Sequence, residues 1–161
     1  MAAMDIHHPL ALAFGIMGNI VSVLVYFAPA PTFYRIYVEK STAGFDSFPY
    51  AVSLLSAVLW IYYALVKSHS FLLITINSLG CLFQTIYLTF YLVYAPRKAR
   101  IETLSMVGMM NLGVSALVVG ITYFPFRGET RVRVVGWICV AVSIGVFAAP
   151  LRIVVRLIKM K

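Results

Sequence analysis

Residues Phe14 to Lys40 read FGIMGNIVSVLVYFAPAPTFYRIYVEK, and Val135 to Lys161 read VGWICVAVSIGVFAAPLRIVVRLIKMK; the two superpose at one fixed offset without a gap. Gly15 falls on Gly136, Ser22 on Ser143, Val25 on Val146, Ala28 on Ala149, Pro29 on Pro150, Arg35 on Arg156 and Lys40 on Lys161. Matches among apolar residues arise cheaply by chance, but coincident Gly, Ser, Pro and Arg do not, so the second stretch reads as a copy of the first. Each copy contains a run free of charge, and what such a run can be decides the fold.

Of 161 residues, 62% are hydrophobic and only 11% charged, whereas a soluble domain carries about 25% charged residues. Five stretches contain no Asp, Glu, Lys or Arg: Pro9 to Tyr34, Ser47 to Val66, Ser70 to Pro96, Thr103 to Phe126 and Val134 to Leu151. Each meets or approaches the roughly 20 residues that a helix needs to cross the hydrocarbon of a bilayer. Backbone groups in lipid must be satisfied within their own segment, so the expectation is an all-α membrane protein with five spanning helices. The first run is too long for the core of a signal peptide and no basic residue precedes it, so it is expected to be retained.

The formal charge of +8 points to topology and not to nucleic acid. Arg35, Lys40, Arg97, Lys98, Arg100, Arg152, Arg156, Lys159 and Lys161 collect on one side of the five crossings, and Lys67, Arg127, Arg131 and Arg133 on the other. The positive-inside rule then puts the N-terminus outside and the C-terminus in the cytosol. The short VKSHS connection makes the second and third helices antiparallel neighbours.

The repeat gives the architecture. Residues 1–100 form a first triple-helix repeat, with helices at about 10–30, 48–66 and 71–95. A connector helix over 103–126 follows, and 134–161 form the first helix of an incomplete second repeat. An odd number of helices per unit would invert the second unit; one connector restores the parallel orientation.

Within the second helix, Pro49, Ser53, Ser56, Trp60 and Tyr63 recur at steps of four and three and share one seam. The first helix offers Ser22, Tyr26 and Pro29, the third Asn77, Gly80, Cys81 and Gln84, and the fifth Cys139, Ser143 and Val146. Taken singly, such small and polar residues are ordinary glue between membrane helices. Taken together, hydroxyls, an amide and an indole suit an uncharged polyhydroxylated ligand, which presents hydroxyls to Asn and Ser and an apolar C–H face to an aromatic ring. All five acids, Asp5, Glu39, Asp46, Glu102 and Glu129, lie outside the spans. Without an intramembrane carboxylate there is no proton relay or cation site of the usual kind, so transport is expected to be downhill and uncoupled. Pro29, Pro49 and Pro150 lie near the cytosolic ends of their spans, where each either ends a helix or hinges an inner gate. His7, His8 and His69 offer no metal-ligand spacing, the two cysteines fall within spans, and no nucleophile and base stand together. Neither a cofactor, a metal nor an enzyme is expected.

The stretches FGIMGNIVS, FAPAPTFYRIY, KSTAGFDSFPY, LLSAVLWIYYAL, LLITINSLGC, IYLTFYLVYAPRKARI, GWICVAVSIGVFAAPL and IVVRLIKMK, in this order, resemble the plant SWEET sugar transporters over nearly everything from Phe14 to Lys161. Parallel repeats are the known arrangement of that family. The resemblance implies a bidirectional, low-affinity facilitator of sucrose or hexose in the plasma membrane, rocking between outward-open and inward-open states around a midplane pocket. It carries Ser22, Val25, Ser56, Trp60, Asn77, Ser143 and Val146 onto the family's substrate positions, Pro29, Pro49 and Pro150 onto its cytosolic-side prolines, and Tyr63 onto an outer-gate tyrosine. The implied partners are a mono- or disaccharide, the lipid bilayer and further SWEET chains in a homo- or hetero-oligomer. The alternative is a truncated, non-transporting subunit that associates with full-length relatives.

Overall fold

A computed structural model describes residues 9–68 and 70–159, with side chains as far as residue 148. The three histidines set aside above therefore lie outside the described residues, as do the side chains of Pro150 and Arg156. The helices are α1 (Pro9–Phe27), α2 (Ala30–Glu39), α3 (Phe48–Lys67), α4 (Phe71–Tyr94), α5 (Arg97–Val107), α6 (Ser115–Tyr123) and α7 (Gly128–Lys159). A π-helical stretch, Gly108–Val114, joins α5 to α6, and there is no strand among the described residues. Counted as crossings, these make five helices long and apolar enough to span a membrane, as the charge-free runs require.

Two crossings begin earlier than those runs indicate. The connector starts at Arg97 instead of near residue 103, and the last helix at Gly128 instead of near residue 134. Charge-free length measures the hydrocarbon layer alone, and a helix continues beyond it wherever long basic side chains can reach the headgroups.

The first crossing is longer than expected too, and it is broken. Instead of ending near residue 30 it turns at Ala28–Pro29 and continues as α2 to Glu39. Pro29 has no N–H for the carbonyl of Val25, and Pro31 none for the carbonyl of Phe27, so two rungs of the ladder are lost within one turn. The Val25 carbonyl accepts from the N–H of Ala28 at 3.1 Å instead, a tightened turn, and α2 restarts with Phe33 N–H donating to the Pro29 carbonyl at 3.2 Å. In the second copy the helix runs unbroken through Pro150. There Arg152 stands where Pro31 stands in the first copy, so only one rung is missing. Beyond the break, Arg35 pairs with Glu39 at 3.2 Å on the exposed face of α2, an i, i+4 pair of the kind that contributes about 0.3–0.5 kcal/mol.

Helix α3 is central, packed along α4 on one side and α7 on the other, while α1 and α2 lie against α4. Lipid chains are as apolar as leucine, so close packing and hydrogen bonds hold these helices together. One buried cluster, Phe33, Ile36, Tyr87, Tyr91 and Ala95, joins α2 to α4. A second, Leu55, Leu59, Val118, Val135 and Cys139, joins α3 to α6 and α7. Two hydroxyl contacts fix the connector to α3: Ser47 Oγ with Thr103 Oγ1 at 2.8 Å, and Tyr62 Oη with Thr122 Oγ1 at 3.0 Å. Other polar side chains are satisfied inside their own helices: Thr75, Thr89 and Asn19 each donate to the carbonyl four residues back.

Candidate functional site

A cavity of about 840 Å³ lies between α1, α2, α3, α4 and α7, within the range typical of small-molecule sites. All seven of the predicted pocket residues line it: Ser22 and Val25 from α1, Ser56 and Trp60 from α3, Asn77 from α4, Ser143 and Val146 from α7. Pro29 and Pro49 line it nearer the loop between α2 and α3, where Gly44, Phe45 and Asp46 form its mouth. The repeat explains the convergence, since Ser22 and Val25 on α1 face the cavity from one side and their counterparts Ser143 and Val146 from the other.

Further along α3 from that loop, Trp60 Nε1–H donates to Ser143 Oγ at 2.9 Å, and Ser56 Oγ stands 3.4 Å from the same oxygen. These bonds tie α3 to α7 at the cavity wall. Asn77 is 9% exposed and donates one amide hydrogen to the carbonyl of Leu73 at 2.8 Å. That is its one hydrogen bond among the described residues, so the carboxamide oxygen and the second N–H stay free for a ligand.

Tyr26 reaches over α4 and donates to the Ile76 carbonyl at 3.3 Å. Only a glycine permits this approach, because a Cβ at Gly80 would stand 2.6 Å from Tyr26 Oη. Tyr87 in turn donates to the main-chain carbonyl of Tyr26 at 2.7 Å, and its ring stacks on Phe33 with centroids 4.5 Å apart.

The structure does not bring Tyr63 to this cavity. Its ring lies edge-on to Trp60, 5.4 Å between centroids, and in contact range of Gly136 on α7. It lines a separate groove of about 580 Å³ with Lys67, Glu129, Arg133 and Trp137, and Trp60 is the wall common to both spaces. Pro49 occupies the first turn of α3, where a missing N–H leaves no rung unmade. Pro150 lies within α7, and its side chain lies outside the described residues.

Several lining residues escaped the sequence reading. Tyr50 and Tyr91 line the lower cavity beside Gln84, which the third helix was expected to offer, and Asn77, Gly80, Gln84, Tyr87 and Tyr91 are all buried on α4. Their steps of three and four are the same seam signal that singled out α3. Asp46, grouped with the acids remote from the spans, lines the mouth and accepts the N–H of Phe48 at 2.9 Å. It is the only charged side chain among the described lining residues.

Residues 12–99 match the family described as sugar efflux transporter for intercellular exchange. The chain is 52% identical over 96% of its length to the bidirectional sugar transporter N3 of Medicago truncatula, covering 58% of that protein. It is 52% identical over 99% of its length to the bidirectional sugar transporter SWEET13 of Oryza sativa subsp. japonica, covering 54% of it. A solved structure of a eukaryotic SWEET transporter superposes with a TM-score of 0.81 at 33% identity, covering 92% of this chain and 70% of that one. The chain thus spans about half the length of the curated relatives it matches.

Proposed function

This chain belongs to the SWEET family of sugar transporters, and on that premise we propose that it carries sugars, sucrose or a hexose, across the plasma membrane by bidirectional, uncoupled, low-affinity alternating access. It is a multi-pass membrane protein of a transporter family and not an enzyme. One observation supports the reading above the rest: Ser56, Trp60, Asn77 and Ser143, neutral hydrogen-bonding groups from three helices, share one cavity, and the Asn77 carboxamide makes one hydrogen bond among the described residues. Hydroxyls of a sugar meet Asn77 and the serines, and its C–H face meets the Trp60 ring. A few neutral bonds give millimolar affinity, about 4 kcal/mol, which suits a carrier that must release its cargo.

With the N-terminus outside, the cavity mouth at Gly44, Phe45 and Asp46 faces the cytosol, and the Trp60–Ser143 bond closes the outer side. The break at Pro29 lets α2 swing at that mouth, and Tyr63 with Trp60 gates the opposite groove. Uptake of radiolabelled sucrose and glucose in transport-deficient cells tests this. We expect uptake that Asn77→Ala abolishes at unchanged surface level; no uptake with this chain alone, and none beside a complete relative beyond what that relative carries by itself, overturns it.

A second reading has a specific observation in its favour. Val25 and Phe147 line the cavity yet are 61% and 76% exposed, so its side between α1 and α7 is open. Helices of another SWEET chain packed there would complete the wall, making this chain a subunit in a homo- or hetero-oligomer. Activity that changes only on co-expression supports this reading over the first.

A further inference from the structure

Three polar side-chain atoms are buried without a partner among the described residues: Gln84 Oε1, Asn111 Oδ1 and Ser115 Oγ. Of these residues, only Gln84 lines the cavity. It is 7% exposed and sits on the Asn77 seam of α4. A buried carbonyl oxygen without a donor costs more than a hydrogen bond contributes, so such an atom at a cavity wall marks a place for a donor that is not part of the fold. The amide nitrogen of the same carboxamide is not among these fully buried atoms, and the soft terminal torsion of a glutamine lets either end of the group turn toward the cavity it lines.

Gln84 lies seven residues beyond Asn77, about 10.5 Å along the helix axis at 1.5 Å per residue. The two carboxamides thus stand at different levels of the cavity wall, a spacing that two linked rings fill. The walls around this lower level are aromatic, lined by Phe33, Tyr50 and Tyr91, and give the C–H side of a second ring apolar contact. Building on the sugar reading above, we propose that Gln84 is a specificity-determining contact, accepting a hydroxyl from the second ring of a disaccharide while Asn77 and Trp60 hold the first. The cavity is then a two-ring site whose lower level a monosaccharide leaves to water.

The test is equilibrium binding of radiolabelled sucrose and glucose to the purified chain in lipid nanodiscs. Gln84→Met keeps the volume and removes the acceptor; it is expected to weaken sucrose about tenfold, roughly 1.4 kcal/mol, with glucose changed less than twofold. Retained glucose binding certifies the fold, a readout that mere structural damage would move. Should Gln84→Met fail to fold, Gln84→Asn, which withdraws the amide by one methylene, is expected to show the same selective loss. Equal weakening of both sugars, or no change in either, overturns the role of Gln84 and leaves the sugar reading standing if the unaltered chain binds and Asn77→Ala does not. Absence of binding by the unaltered chain defeats both.

Discussion

The hydroxyl of Tyr87 on α4 donates to the main-chain carbonyl of Tyr26 at 2.7 Å, one turn before Pro29 breaks the first crossing. The two prolines withhold donors from the carbonyls of Val25 and Phe27, and the Tyr26 carbonyl between them takes its bond from α4, where lipid supplies no water. Tyr87 therefore stabilises the bend itself, and its stacking on Phe33 of α2 fixes the segment beyond it.

Tyr87→Phe keeps the stack and deletes the bond. Bonds of this kind between membrane helices contribute about 0.6–2 kcal/mol, so the thermal midpoint in detergent should fall by a few degrees. A midpoint equal to that of the unaltered chain would show that the carbonyl is served in another way.

Gly80→Ala should destabilise by about 1–3 kcal/mol, as overpacking does, because the new methyl would collide with Tyr26 Oη at 2.6 Å and detach it from the Ile76 carbonyl. Gly18→Ala is the control, since a Cβ there meets nothing within 4 Å. Chemical denaturation of both variants should separate them; equal midpoints would contradict the close approach.

Five crossings were legible because hydrocarbon excludes charge, and that rule counts spans well but ends them badly, as Arg97 and Gly128 show. The cavity was legible where the repeat pairs Ser22 with Ser143 and Val25 with Val146, and where α3 carries its polar seam. Gln84 is legible on α4 with Asn77 and Gly80, whereas Tyr91 carries the same periodic signal and is hidden among the many aromatic residues of an apolar span. The Tyr87–Tyr26 bond spans 61 residues, and no local pattern encodes a side chain's reach to a distant carbonyl. Tyr63 shares the seam of Trp60 yet lines a different space, because it lies one turn further along α3 against Gly136.

Two prolines, not one, break the first crossing. Replacing both, Pro29→Ala with Pro31→Ala, restores both donors and should straighten α1 into α2. Spin labels at the exposed positions Ile16 and Val38 should then move apart towards about 33 Å, the span of twenty-two residues in a straight helix. A distance distribution unchanged by the double substitution would mean that packing on α4 sets the bend.

Ser143→Ala removes the acceptor of the half-buried Trp60 indole and should cost about 0.6–2 kcal/mol, the worth of such a bond between membrane helices. Ser56→Ala, which loses only a 3.4 Å contact, should cost less than half as much. Thermal unfolding of the two variants in one detergent checks the order, and a larger loss in Ser56→Ala would contradict the geometry.

The neutrality of the cavity at the level of Asn77 is best tested by sugar flux into liposomes that contain this chain alone, with and without an imposed proton gradient. Saturable millimolar flux in both directions, indifferent to the gradient and at least tenfold lower in Asn77→Ala, is the expected result. Flux that follows the gradient, or that equals leakage into protein-free liposomes, would contradict it.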